Sequence, residues 1–151
     1  MIPIEYKEAK YIHPLARFVT VEAIALLLKV DITQIKAIRC WARVVLVVGV
    51  KFSRFVSYAD LPPIIAVEVP NTADVTRWRK RWQKNTRQAP QFWLEFYKQK
   101  FEQAVSASQL YDWGQIVRLI KFGLSPVTLQ QLRCFYSVAK AKLENILLMA
   151  A

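Results

Sequence analysis

The chain has 151 residues, 54% of them hydrophobic and including 5 Trp, 6 Tyr and 8 Phe, enough apolar material for a real core and too much for a disordered chain. Its formal charge is +11, from 22 Lys and Arg against 11 Asp and Glu, a surplus that points to a polyanionic partner, nucleic acid before a membrane surface. The 3 glycines exclude a glycine-rich phosphate cradle, and the 2 cysteines, Cys40 and Cys134, are too far apart in sequence for a CxxC metal or redox motif.

Residues 1–17 read as an irregular arm with an extended start, and His13-Pro14 marks a break before the first helix. The N-terminus has no signal-peptide core, and the apolar run Val44 to Val50 is too short to span a bilayer, so a cytoplasmic location away from membranes is expected. Phe18 to Leu28 reads as a short helix with Thr20 as its N-cap. After the turn Lys29-Val30, Asp31 with Gln34 three residues on has the spacing of a capping box and predicts a second helix. In that helix Ile35, Ile38 and Ala42 follow an i, i+3, i+7 pattern and face the core, while Thr33, Lys36, Ala37 and Cys40 point away from it.

Val44 to Val48 and Phe52 to Ser57 are β-branched or alternating runs around Gly49, and they predict a β-hairpin with Lys51 and Arg54 near its tip. Tyr58 to Leu61 starts a helical turn that Pro62-Pro63 stops. Residues 61–71 read as a linker with prolines at 62, 63 and 70. A basic helix follows, opened by Thr72 or Asp74 and running to Lys84, with Val75, Trp78 and Trp82 on one face and Arg77, Lys80, Arg81 and Lys84 on another. Residues 71–100 hold 8 basic and 2 acidic residues, a net of +6, so more than half of the surplus is concentrated there as a patch requires.

From Pro90 onward the pattern is helical. One stripe joins Phe92, Trp93, Phe96, Tyr97, Phe101 and Ala104; a second joins Leu110, Trp113, Val117 and Ile120 and ends at Gly123. Ser125-Pro126 supplies a cap and an N1 proline for a long final helix. Within it Leu129, Leu132, Tyr136, Ala139, Leu143 and Ile146 repeat at 3, 4, 3, 4, 3, an a/d seam that predicts pairing of two chains.

Helix, short turn, helix and β-hairpin in that order make a winged helix-turn-helix, whose second helix enters the major groove. The expected fold is therefore mainly α with a small β-hairpin wing: a winged head over residues 1–70, a basic connecting helix over 71–89, and a helical dimerisation region over 90–151. The residues expected on DNA are Thr33, Gln34, Lys36, Ala37, Arg39 and Arg43 from the reading helix and its end, Lys51, Ser53 and Arg54 from the wing, and Arg77, Arg79, Lys80, Arg81 and Lys84 from the basic helix.

The segments Val19-Thr20-Val21-Glu22-Ala23-Ile24-Ala25-Leu26-Leu27-Leu28-Lys29-Val30-Asp31 and Arg54-Phe55-Val56-Ser57-Tyr58-Ala59-Asp60-Leu61 resemble the winged-helix head of MerR and excisionase-like regulators. In size and layout the chain is similar to the compact cyanobacterial MerR-like repressors that silence type V-K CRISPR-associated transposons. The resemblance implies a homodimeric repressor that binds an inverted repeat in double-stranded DNA at a promoter. It covers little more than a quarter of the chain, and the chain departs from the family in two places. Ile38-Arg39-Cys40-Trp41 stands where the family has Arg-Tyr-Tyr, and the cysteine cluster of metal-sensing members is missing, so no metal is implied. The alternative reading is a basic adapter of a mobile element that binds nucleic acid or protein without reading sequence. The acidic residues are scattered and neither cysteine has a base nearby in sequence, so no enzyme, cofactor or small-molecule effector is expected.

Overall fold

In the computed structural model, which describes residues 2–6, 12–65, 67–84 and 87–150, the chain opens with strand β1 (Ile4–Tyr6). A 3-10 turn, Pro14–Phe18, follows the His13-Pro14 break and buries Leu15, Ala16 and Phe18. Helix α1 (Val21–Leu28) starts where the sequence places it: the Thr20 hydroxyl accepts a hydrogen bond from the Ala23 amide at 3.2 Å. It ends at Lys29, which takes a left-handed conformation with φ 58° and donates its amide back to the last turn.

The second helix expected after Asp31 does not form. The Asp31 carboxylate accepts from the Thr33 amide and hydroxyl, both at 2.9 Å, but it caps only the 3-10 turn Ile32–Gln34. Residues Ile35–Cys40 then run as strand β2 in the interior of a four-stranded sheet. Strand β3 (Val45–Gly49) and strand β4 (Ser53–Val56) complete the sheet, in the order β1-β2-β3-β4. β1 pairs with β2 in parallel, with α1 in the crossover between them, and the other two pairs are antiparallel.

With a strand at residues 35–40 the head is not a helix-turn-helix, and Thr33, Gln34, Lys36, Ala37 and Arg39 lie on no reading helix. The cause of the misreading is a β-bulge. The β2–β3 register shifts between Ile35 and Ala37, so Ile35 and Ile38 both face inward although they are three residues apart. A bulged strand thereby imitates helical spacing. Tertiary pairing decides the outcome, because a short helix is marginal by itself while β2 has ladder partners on both sides.

The expected hairpin is present as β3 and β4, with Val50 and Lys51 at its tip. Ile38, Cys40, Val45, Val47 and Val56 are buried on one face of the sheet. On the other face Arg39, Leu46 and Phe55 stand side by side in register, and Phe55 is exposed over 61% of its surface.

Residues 61–63, expected as linker, belong to the core. Leu61, Pro62 and Pro63 are buried, the Trp93 indole donates to the Asp60 carbonyl at 2.8 Å, and the Tyr97 hydroxyl donates to the Pro63 carbonyl at 2.7 Å. Helix α2 (Thr72–Gln83) is capped by Asn71 in a capping box with Asp74. Its apolar face seats Trp78 and Trp82 against Trp93 of α3 (Phe92–Gln103), both edge-on at 5.9 and 5.4 Å. One continuous cluster of buried side chains therefore joins the sheet, α2 and the helices behind it.

α4 (Ala107–Ile120) and α5 (Pro126–Ala150) complete the fold; Ser125 caps α5 by accepting from the Thr128 amide at 3.1 Å. The a/d seam of α5 packs within its own chain. Leu132 and Ala139 are buried, and the Tyr136 ring meets Phe101 edge-on at 5.4 Å and lies over Gly114, where an added Cβ would fall 2.8 Å from it. Leu129 and Leu143 are half-buried in the same way, and only Ile146 of the six is exposed. A heptad seam encodes burial against helices, and here α3 and α4 supply those helices. Among the described residues no helix is long and apolar enough to cross a membrane.

Candidate functional site

A cleft of about 680 Å³ opens where the β2–β3 turn faces α2. Arg43 comes from that turn, and Arg77, Lys80, Arg81 and Lys84 from the polar face of α2; His13, Ser57 and Tyr58 form the floor. The helical period explains the α2 contribution, since positions 77, 80, 81 and 84 share a face while Trp78 and Trp82 hold the opposite one in the core. Arg43 reaches the cleft because the register Cys40↔Val45↔Val56 brings the β2–β3 turn beside Ser57 and Tyr58.

The five cations are not equivalent. Arg81 is held in a bidentate pair with Asp60, Nε to Oδ1 and Nη2 to Oδ2 both at 3.0 Å, and hydrogen bonding to that carboxylate raises its pKa further. Arg77 lies 3.4 Å from Asp74, a fully buried carboxylate that Arg17 also engages through both terminal nitrogens. Arg43, Lys80 and Lys84 are exposed, and among the described residues no carboxylate lies within ion-pair distance of them. Two arginines are thus oriented by acids behind them, and three cations face solvent with no acid paired to them among the described residues.

His13 stacks on Tyr58, with ring centroids 4.3 Å apart and planes 11° from parallel. Its Nδ1 accepts from the Leu15 amide at 3.0 Å, which leaves Nε2 to carry the proton of the neutral ring. Burial, reinforced by the Arg77 charge, lowers the His13 pKa below its ordinary value. The Tyr58 hydroxyl donates to the Trp41 carbonyl at 2.5 Å, and burial raises the pKa of Tyr58 and of Cys40 beside it. The floor is therefore neutral at pH 7, and the positive potential comes from the walls.

The other residues expected on DNA are spread elsewhere. Lys51 sits at the hairpin tip, where Ile35↔Gly49 marks the opposite end of the sheet from Arg43, so the tip is roughly 17 Å away at about 3.3 Å per residue. Ser53 and Arg54 lie on the exposed edge strand β4. Lys36 is exposed on β2, Arg39 pairs with Glu5 at 3.7 Å, and the Gln34 carbonyl is taken by the Val50 amide. Arg79 points away from the cleft and stacks on Phe122 at 4.8 Å. Sequence reasoning missed His13 and Tyr58 as cleft residues. The one signal for them was the His-Pro break, since their stacking depends on a sheet whose topology was misread.

Among the described residues no group of three or more His, Cys, Asp or Glu side chains could hold a metal ion. No protein-family model, curated protein or solved structure matches the chain.

Proposed function

We propose that the protein binds nucleic acid by gripping its phosphate backbone in the Arg43–Lys84 cleft, without a helix that reads base sequence. The observation that carries this reading is the convergence of five cations from two separate elements, three of them with no acidic neighbour in ion-pair range among the described residues. A helix face that was basic only for solvation would not need Arg43 to approach it from the sheet. Asp60 and Asp74 fix the direction in which Arg81 and Arg77 point, while their own charge competes with an incoming phosphate for those two arginines.

Sequence-specific repression by a paired winged helix required an exposed second helix and a free α5 seam. Residues 35–40 are a strand and the seam is largely covered, so the basic adapter that grips nucleic acid without sequence reading is the better-supported function. Cross-linking of purified protein to a mixed-sequence oligonucleotide, followed by peptide mapping, tests it. Adducts should fall on residues 77–84 and around Arg43. Adducts confined to Lys51–Arg54 would place the grip on the hairpin and contradict the cleft.

A further inference from the structure

We infer that the nucleic acid held in this cleft is single-stranded, and that its bases leave the phosphate track to stack on Phe55 and Trp41; this rests on the phosphate grip proposed above. Phe55 projects from the face of the sheet opposite the core and is 61% exposed. The Trp41 ring reaches across β3 to meet it edge-on, with centroids 5.4 Å apart and planes at 60°. Trp41 is half-buried and Phe55 exposed, so the pair steadies the sheet and still leaves an aromatic surface open to solvent.

Platform and track share a wall. Trp41 is two residues from Arg43, and its carbonyl is held by the hydroxyl of Tyr58, which lines the cleft. Arg39 stands beside Phe55 in register, across Leu46, and is paired there with Glu5, while Arg54 is in register with Val47 of the opposite face. The positive charge beside the pair comes from Arg43 of the cleft, two residues from Trp41, and it complements a nucleic acid. A duplex keeps its base faces stacked inside and offers an aromatic side chain nothing to stack on. Unpaired bases offer both faces, and aromatic residues on an open sheet flanked by cations are a general solution for them.

The five tryptophans provide the readout. Trp78, Trp82, Trp93 and Trp113 are at most 7% exposed, so fluorescence accessible to acrylamide comes from Trp41. The experiment titrates the full chain with fluorescein-labelled (dT)20 and with a 20-base-pair duplex at one salt concentration, and follows anisotropy and the acrylamide-accessible tryptophan signal in parallel. The expected result is at least about tenfold tighter binding of (dT)20, with loss of the Trp41 signal on binding. Phe55→Ala should weaken (dT)20 roughly 5- to 150-fold while leaving duplex affinity unchanged, and Phe55→Trp should restore it. Equal affinity for both forms, with no effect of Phe55→Ala, overturns the single-strand inference while the phosphate grip stands. Binding of neither form overturns both. Shielding of Trp41 by protein concentration alone would mean that a second copy covers the platform, and that also overturns the inference.

Discussion

Arg81 and Asp60 are 21 residues apart in sequence and meet as a bidentate pair, both hydrogen bonds at 3.0 Å. The pair ties α2 to the 3-10 turn Tyr58–Asp60 and at the same time aims a guanidinium into the cleft. Asp60→Asn keeps the shape and removes the charge. It should cost about 1 kcal/mol or less of stability, because Arg81 is partly exposed. Nucleic-acid affinity should rise severalfold, since a competing anion leaves the cleft. Anisotropy titrations and chemical denaturation of the two proteins check both halves; a drop in affinity would show that the pair orients Arg81 more than it competes for it.

Asp74 is a buried carboxylate that serves three partners: Arg17, Arg77 and the Asn71 amide. Asp74→Ala strands two arginines and removes half of a capping box. Losses on the order of 3 kcal/mol are typical when one member of a buried charge network is deleted. Urea denaturation should show a lower midpoint with an unchanged slope. A midpoint equal to that of the parent would mean that the network contributes no net stability.

Two glycines make a contrast. A Cβ at Gly123 would fall 2.1 Å from the Trp82 ring, and one at Gly49 would fall 2.1 Å from the Phe52 ring. Trp82 is wedged between Trp93 and Phe122, whereas Phe52 is only half-buried and can swing aside. Gly123→Ala should therefore cost about 1–3 kcal/mol, and Gly49→Ala clearly less. Thermal melts of the two variants side by side test the ranking, which equal midpoints would refute.

His13 is the one histidine of the chain, so its titration can be followed without ambiguity. Its folded pKa is lowered, while the unfolded chain titrates near the ordinary value of about 6.5. Below that value the unfolded state binds the extra proton, and stability is lost as the pH falls from 6.5 toward the folded pKa. Protonation of Nδ1 would also break its bond from the Leu15 amide. The imidazole signal by NMR should titrate below 6.5, and His13→Gln should flatten the fall in stability between pH 6.5 and 5. A folded pKa above 6.5 would reverse the sign and contradict the buried, cation-facing placement.

How much of this was legible in the sequence depended on whether a signal was local. Thr20 capped α1, Ser125-Pro126 opened α5, and Trp78 and Trp82 went to the core, since caps and helical faces are written within one turn. The face of α2 that lines the cleft was legible for the same reason. Ile35 and Ile38 misled because a bulge gave a strand the spacing of a helix, and only pairing with Ile4 to Tyr6 and Val45 to Gly49 reveals it. The α5 seam marks the face of the helix that packs, and in this chain α3 and α4 cover much of it, because periodicity does not say which helix does the covering. Arg43 joined the site through strand register, which no window of sequence contains.

The central claim is that Arg43, Lys80 and Lys84 hold phosphates. Its most direct test is the salt dependence of binding, compared between the parent chain and the variant carrying Arg43→Gln, Lys80→Gln and Lys84→Gln. Each phosphate contact adds about 0.7 to the slope of log affinity against log salt for a single strand and about 0.9 for a duplex. The variant should remain folded and lose about two from the slope with (dT)20, or nearly three with a duplex. A folded variant whose slope and affinity match those of the parent would contradict the account.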